Sequence, residues 1–425
     1  MVASSPSNRS LAGRRGNFPG RRPLASRDFR LLFVGQAVSM LGDQFYLVAL
    51  PWLVLQMTGS FLAVGTIMMA ATIPRMVFLL VGGAVSDWLS PHKLMVASNV
   101  FRSLVCAILT ALVLLKSVSL WQLFVLAAAF GTLDAFFAPA LKSFIPALLD
   151  DETLVAGNSL LQGSNMLAKF IGPSLAGFIY AVAGAAMAFA LDTVSFIFVT
   201  ACLLLMKTKR VTGSAEPKRT KLFASILEGL RYTLREPAIR SLIILLGVIE
   251  FAFAGPLTVG LAALANSRFA GGEKAFGIML STLGGGFLLG TIIANWFKRT
   301  RIGYATFVGA LVLGGLLALL GAAPNLFWAC ALLAVIATIG GFLQVLNAVW
   351  FQTRPDPRML GRVMSVVMLF GFGLTPLSYV IAGALLKMST PLMFAANGVF
   401  LLAAVLLLLP ARRKIDETKA AVAAT

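Results

Sequence analysis

Charged residues, histidine and cysteine are all scarce in this 425-residue sequence. Only 12% of the residues are charged and 59% are hydrophobic, with a mean hydropathy of +0.91, a balance too apolar for a soluble protein that covers its surface with charge. The single histidine, His92, and the isolated Cys106, Cys202 and Cys330 offer neither metal-ligand spacing nor a disulfide framework. The Gly-rich phosphate loop of the Walker form is missing. We therefore expect no metal, no cofactor, no ATP-driven pumping and no enzymatic activity.

Long apolar stretches dominate the chain instead, and they recur from Phe29 almost to Pro410. A helix needs about 20 apolar residues to cross the hydrocarbon core of a bilayer. Dividing the apolar runs at their breakers predicts an all-α integral membrane protein with twelve transmembrane helices. The predicted spans are 30–56, 61–86, 94–115, 119–141, 154–183, 186–206, 240–264, 275–297, 302–321, 325–351, 362–386 and 391–410.

The basic residues lie between these spans in an asymmetric pattern. If the N-terminus is cytoplasmic, the inside segments hold 28 Lys and Arg residues and the outside segments hold four. This positive-inside bias predicts a multi-pass protein of the cell inner membrane with both termini in the cytoplasm. Topology thus explains the net charge of +19. No nucleic acid partner is expected, because no basic stretch carries interleaved stacking aromatics.

Polar segments divide the chain into five parts. We expect a basic disordered cytoplasmic tail at 1–28, a six-helix bundle at 29–206, a cytoplasmic linker at 207–239, a second six-helix bundle at 240–410 and a cytoplasmic tail at 411–425. Apolar residues at helical spacing within the linker predict an amphipathic helix at the membrane interface.

The two halves of the chain echo each other. Gly65 opens the second span as Gly277 opens the eighth, and Pro173 in the fifth span matches Pro376 in the eleventh. Duplicated six-helix halves are the architecture expected when a substrate binds near the membrane midplane between two rocking bundles. We therefore expect two pseudo-symmetric bundles.

The loop after the second span resembles a motif of the major facilitator superfamily. The segment GAVSDWLSPHK is similar to G-x-x-x-D-R-x-G-R-R, with Gly83, Asp87 and Lys93 in place and Trp88 where the motif has arginine. The resemblance implies a gating role, in which the Asp87 carboxylate caps a helix N-terminus of the opposite bundle and holds the inward side shut.

A second motif lies in the fifth span. The segment GNSLLQGSNMLAKFIGPSLAG resembles the antiporter motif G-x8-G-x3-G-P-x2-G-G, and Gly172, Pro173 and Gly177 occupy three of its positions. Small residues let two helices approach closely, and Pro173 permits a bend. These residues are candidates for gating, with ordinary tight helix packing as the alternative.

Three further stretches identify a branch of the superfamily. LGDQFYLVALPWLV within 29–54, EGLRYTLREPAIRSL at 228–242 and FFAPALKSFIP at 136–146 resemble the branch of macrolide-efflux proteins and the exporter of the siderophore enterobactin. The resemblance implies a monomeric secondary active transporter in the lipid bilayer. It would export a bulky small-molecule substrate, such as a drug, a macrolide-like compound or a siderophore, by alternating access in exchange for protons.

Other functions remain open on the sequence alone. A facilitator or importer of a lipid-like or nutrient substrate would have the same fold. An intramembrane enzyme is disfavoured by the missing metal and phosphate motifs. A receptor or scaffold without transport activity would be expected to carry a soluble domain.

Seven ionisable residues lie inside the predicted spans, where a charge costs about 2.5–3.5 kcal/mol. Glu250 and Asp43 occupy near-equivalent positions of the two halves, and a carboxylate in a partly dry cavity can take up a proton. We predict that Glu250, and secondarily Asp43, binds the coupling proton or a cationic substrate group. The alternative for Asp43 is a buried ion pair with Arg75.

The other intramembrane charges allow more than one role. Arg102 and Asp134 have matching depth and are interpreted as a structural pair joining the third and fourth helices. Lys169 either meets an anionic group of the substrate or pairs with an acid. Asp192 either belongs to a solvated entrance or is structural. Together with Glu250, Asp43 and Arg75, Lys169 and Asp192 are candidates for proton or substrate binding.

Overall fold

A computed structural model of the chain describes residues 23–88, 90–207, 222–297, 301–356, 359–412 and 415. Within these ranges every regular element is helical. The predicted tails at 1–28 and 411–425 lie mostly outside the described residues, as does the first part of the predicted linker. Among the described residues, eleven helices are long and apolar enough to cross a membrane.

In the part that the structure describes, the first half of the chain forms five α-helices after a short 3-10 turn at Pro23–Ala25. Their bounds are α1 Arg27–Thr58, α2 Phe61–Trp88, α3 Pro91–Leu114, α4 Leu120–Leu148 and α5 Asp151–Leu204. Polar caps set several ends: the Ser26 hydroxyl accepts from the Phe29 N–H at the start of α1, and Gly59 closes α1 in the left-handed conformation.

Helix α5 contains two of the twelve predicted spans. The apolar segment of 53 residues would reach about 80 Å if straight, far more than one crossing requires. Its backbone breaks at Gly184, where φ is 76° and ψ is −178°, a conformation that favours glycine. A first limb at 151–183 and a second limb at 185–204 therefore cross separately, which reconciles eleven long helices with twelve crossings.

The second half contains more interruptions than the sequence predicts. Its bounds are α6 Leu222–Arg235, α7 Pro237–Gly255, α8 Leu261–Arg268, α9 Gly272–Ala294, α10 Ile302–Leu320, α11 Leu326–Thr353, α12 Leu360–Gly373, α13 Thr375–Leu385 and α14 Thr390–Leu408. A π-helical turn, Pro256–Gly260, joins α7 to α8 within one span. The predicted eleventh span divides into α12 and α13 just before Pro376, since proline cannot donate a helical hydrogen bond.

Helix α6 lies between the two halves and packs against α12. The Arg362 guanidinium pairs with the Glu228 carboxylate, and the Asp356 N–H donates to the Tyr232 hydroxyl at 3.4 Å. Thr233 is buried, whereas Leu234, which the helical pattern places on the apolar face, is exposed. The helix is therefore held to the second half partly by polar contacts.

Helix direction defines two faces of the molecule. The starts of α1, α7 and α12 and the end of α14 share one face with α6, which we call the terminal face. The short α1–α2 connection, Gly184 and the α8–α9 connection lie at the other end, which we call the distal face. In each half the apolar helices pack around a core of fully buried side chains such as Phe189 and Phe196 in the first and Phe307 and Phe394 in the second.

Candidate functional site

Within the described residues, the two halves meet mainly along two helix pairs, the first being α5 with α9. The Ser174 N–H donates to the Ser281 hydroxyl at 2.8 Å across this interface. A side chain at Gly177 would place its Cβ 2.6 Å from the Glu273 carbonyl oxygen, and one at Gly277 would clash with the Pro173 carbonyl. These glycines therefore let the two backbones touch.

The second pair is α2 with α13, and it repeats the geometry of the first. A Cβ on Gly383 would lie 2.7 Å from the Phe61 carbonyl oxygen, and one on Gly65 would clash with the Tyr379 carbonyl. Gly65 thus contacts the segment that follows Pro376, as Gly277 contacts Pro173. The correspondence seen in the sequence is confirmed as a pseudo-symmetric pair of close helix crossings.

Between midplane and terminal face, polar side chains of the apolar helices are exposed. Asn158 and Gln162 on α5 and Gln344 on α11 are all exposed, and a Cβ at Gly163 would have no neighbour within 4 Å. The described contacts of α5 with α9 instead run from Lys169 towards the distal face. We interpret the space between the halves on the terminal-face side of Lys169 as a cleft, closed towards the distal face by the helix contacts.

An ionic chain crosses the first bundle beside this cleft. The Arg102 Nη2 atom lies 2.8 Å from Asp43 Oδ1 and 3.4 Å from Asp134 Oδ1, while Arg75 Nε lies 2.9 Å from Asp134 Oδ2. Helices α1, α3, α4 and α2 are thus joined in that order. The structure places Asp43 against Arg102, where the sequence favoured Arg75 as its partner, because Arg75 is engaged by Asp134.

Arg102 is the buried centre of this chain. Its side chain is 3% exposed, against 35% for Asp43 and 20% for Asp134. The guanidinium carbon lies 4.3 Å from the ring centre of Phe196 and 4.9 Å from that of Phe130, positions at which a cation is attracted to an aromatic face. Arg102 is therefore held by two carboxylates and by aromatic rings.

Asp192 lies in the core of the first bundle. It is fully buried, and its carboxylate accepts from the Cys106 thiol at 3.3 Å and from the Ser195 hydroxyl at 3.3 Å. Asp192 is therefore a buried residue of the bundle and does not belong to the solvated entrance considered from the sequence. Cys106 follows Arg102 by four residues on α3, and Ser195 follows Asp192 by three residues on α5. Helical spacing therefore places each pair on one helix face, but it gives no signal for the contact between the two helices.

Lys169 and Arg75 are the exposed cations of the site. The Arg75 side chain is 56% exposed, and Lys169 is exposed where α5 and α9 part. No carboxylate among the described residues lies at ion-pair distance from Lys169. Of the two roles considered for Lys169, pairing with an acid is thus not what the described residues provide.

Glu250 lies on the other side of the cleft, in α7. The Thr375 hydroxyl lies 3.5 Å from its Oε1 atom, and the ion pairs among the described residues do not include Glu250. The nearby π-helical turn is anchored by Ser378 of α13, which accepts from the Gly255 N–H at 2.7 Å and donates to the Phe251 carbonyl at 2.5 Å. Sequence reasoning missed Thr375 and Ser378, whose only signal is their spacing around Pro376.

The candidate gating residues fall into two groups. Gly172 packs against Gln44 of α1, and Pro173 and Gly177 lie at the α5–α9 crossing. Lys93 is exposed in the first turn of α3. The surroundings of Gly83 and Asp87, in the last turns of α2, lie outside the described residues.

Solved structures share this arrangement. The nucleoside transporter NupG superposes with a TM-score of 0.72 at 12% identity, covering 91% of this chain and 99% of that one. A transporter of the POT family reaches a TM-score of 0.75 at 12% identity, covering 92% of this chain and 97% of that one. The fold is therefore that of the major facilitator transporters.

Curated relatives cover most of the chain. The multidrug efflux pump Tap of Mycolicibacterium fortuitum is 27% identical, over 88% of this chain and 94% of its own length. Macrolide efflux protein A of Streptococcus pyogenes is 19% identical over 80% and 84%, and the enterobactin exporter EntS of Salmonella typhi is 25% identical over 79% and 80%. The sequence profile of the transmembrane secretion effectors matches residues 20–424. This chain is a multi-pass membrane protein that belongs to the transmembrane secretion effector family of the major facilitator superfamily.

Proposed function

We propose that this protein exports a bulky organic molecule by alternating access, in exchange for protons. The observation that carries the proposal is a set of midplane charges at the narrow end of a cleft between two pseudo-symmetric bundles. The efflux pumps and exporters among the relatives favour export over import. A drug, a macrolide-like compound or a siderophore is the expected class of substrate.

The two helix crossings support the alternating-access part of the proposal. Contacts of α5 with α9 and of α2 with α13 run from the midplane to the distal face, so the site is reached from the terminal face. Rocking of one bundle against the other about the midplane would separate these contacts and open the distal face. Gly65 in the α2–α13 crossing and Gly277 in the α5–α9 crossing have no side chains that interlock with the partner helix, so the helices can separate there.

Glu250 supports the proton part of the proposal. A carboxylate that is half-buried near the midplane, with one hydroxyl contact and no cation at ion-pair distance among the described residues, is expected to take up a proton rather than remain charged. Asp43 differs because Arg102 stabilises its charge. We therefore assign the coupling proton to Glu250 first and to Asp43 second.

The basic residues support an orientation. They are concentrated on segments that join helices at the terminal face, so the positive-inside rule puts that face, with both termini, in the cytoplasm. The cleft would then be open to the cytoplasm, which is where an exporter collects its substrate. We propose a monomer in the inner membrane.

The test is accumulation of fluorescent and antibiotic compounds in exporter-deficient cells, with and without a protonophore. Expression of the protein should lower accumulation, and the protonophore should reverse the effect. Glu250→Gln should abolish the effect at unchanged expression, while Glu236→Gln, which removes an exposed carboxylate at the terminal face, should behave as wild type. Export by Glu250→Gln at the wild-type rate would remove Glu250 from the mechanism.

A further inference from the structure

Two cations lie where the halves part, one on each flank of α1. On α5, Lys169 lies at the end of the α5–α9 contact that is nearer the terminal face. Its backbone carbonyl packs directly against Gly284 of α9. On α2, Arg75 directly precedes Met76, whose sulfur would lie 3.7 Å from a Cβ at Gly373 of α12. Both side chains are exposed. The two residues therefore mark, on α5 and on α2, the places where the first half parts from the second towards the terminal face.

The pairing of charges leaves these two cations incompletely neutralised. Asp43 and Asp134 are the carboxylates of the ionic chain, and both contact Arg102. Arg75 shares Asp134 through its Nε atom, while its two terminal nitrogens form no ion pair with the described residues. Arg102 and Arg75 thus share two carboxylates, and Lys169 has none at ion-pair distance among the described residues.

The unused donors have the chemistry of an anion site. The terminal nitrogens of an arginine present parallel N–H groups that match the two oxygens of a carboxylate, and a lysine ammonium adds a third donor with a full charge. A cation held near the midplane without a partner is a candidate for substrate recognition. Glu250, on the other side of the cleft, is a carboxylate and would be compatible with a basic or neutral part of the same molecule.

We propose that Lys169 and Arg75 bind the carboxylate group of the exported molecule, so that the substrates of this protein include acid-bearing amphiphiles. The inference rests on the proposed function and names the chemical class of its substrate. Lys169 makes the main contribution because it has no competing carboxylate. Arg75 contributes the donors that Asp134 leaves unused.

The experiment compares a carboxylic acid with its methyl ester on the same apolar body. Dansyl-aminoundecanoic acid and its methyl ester are titrated onto the purified protein in lipid nanodiscs, with empty nanodiscs as the partition background. We expect the acid to bind about tenfold more tightly than the ester. Lys169→Gln should remove this preference, Lys169→Arg should retain most of it, and Lys387→Gln, which removes an exposed lysine at the distal face, should match wild type.

Two outcomes would overturn the inference: equal binding of acid and ester by wild type, or an equal loss of both in Lys169→Gln. Transport of the same pair in proteoliposomes separates the inference from the proposed function. An acid preference in binding without transport of either compound would contradict the proposed export and leave the anion site standing. Export of these compounds without an acid preference in binding would support the proposed export and contradict the anion site.

Discussion

Arg102 is the residue on which the polar core of the first bundle depends. It is buried, contacts two carboxylates and lies against aromatic rings, so its removal would leave both acids without their shared cation. Losing one partner of a buried pair costs about 3–5 kcal/mol. The arginine therefore joins α1, α3 and α4 more firmly than their apolar contacts alone would.

We predict that Arg102→Met lowers the melting temperature of the detergent-solubilised protein by several degrees. Arg102→Lys should be intermediate, because lysine keeps the charge but cannot lie flat against Phe196 while reaching both carboxylates. The measurement is the loss of the monodisperse size-exclusion peak after heating. Arg301→Met, at an exposed position, is the matched control, and an Arg102→Met protein as stable as this control would contradict the assigned role.

An exchange of charges tests the order of the ionic chain. If Arg102 and Asp134 formed an isolated pair, combining Arg102→Asp with Asp134→Arg would restore what either change loses. In the structure Asp43 lies 2.8 Å from Arg102, so the exchange would place two carboxylates together on α1 and α3. We predict that the exchanged protein stays as unstable as the single variants and that adding Asp43→Asn improves it. Full restoration by the exchange alone would show that Asp43 is not part of the chain.

At the scale of the helix, the glycines of the two crossings determine how closely the halves approach. Gly277 is the clearest case, because a Cβ there would clash with the Pro173 carbonyl, a backbone atom that cannot rotate away. We predict that Gly277→Ala separates α5 from α9 at a cost of about 1–3 kcal/mol, and that export falls roughly tenfold or more in accumulation assays.

A second glycine provides the control for this change. Gly315 lies in α10 with no atom within 4 Å of its would-be Cβ, so Gly315→Ala should export at the wild-type rate. If both variants export normally, the α5–α9 crossing does not limit transport.

The apolar pattern predicted the helices well and their interruptions poorly. Runs of about 20 apolar residues located the spans because bilayer thickness fixes their length. The pattern separated two spans at Gly184, where the backbone breaks, but it does not register the π-helical turn at Pro256–Gly260 or the gap between α12 and α13. These features depend on backbone hydrogen bonds that neighbouring helices rearrange.

The sequence indicated the depth of the charged residues in the membrane but not the direction in which each side chain points. Counting residues from the helix ends gave Arg102 and Asp134 matching depth, and these two side chains lie 3.4 Å apart. It favoured Arg75 as the partner of Asp43, whereas Asp43 contacts Arg102. That choice depends on the rotation of each helix about its axis, which is set by packing. The same limit explains why Asp192 was considered for a solvated entrance although it lies in the core beside Cys106.

At the scale of the whole molecule, the structure has one conformation with its halves in contact towards the distal face. The Ser174–Ser281 hydrogen bond crosses the interface there, while Gln162 and Gln344 are exposed nearer the terminal face. If the halves rock as proposed, the distance between Ser174 and Ser281 must increase during each transport cycle.

We predict that a disulfide between Ser174→Cys and Ser281→Cys forms on oxidation and blocks export. The background carries Cys106→Ser, Cys202→Ala and Cys330→Ala, so that the introduced pair holds the only thiols. The 2.8 Å contact between Ser174 N and Ser281 Oγ brings these positions close enough for a bridge after small backbone adjustment. Cross-linking is measured by a gel shift after cleavage between the halves, and export by accumulation.

The control pair, Gln162→Cys with Gln344→Cys, lies on exposed surfaces of the cleft and should remain reduced in this conformation. Export by the Ser174/Ser281 pair should return when a reductant opens the bridge, because the block is conformational and not a loss of fold. Continued export with the bridge intact would mean that α5 and α9 stay in contact throughout the cycle. The halves would then have to rotate about this crossing, and the proposed separation of α5 from α9 would be wrong.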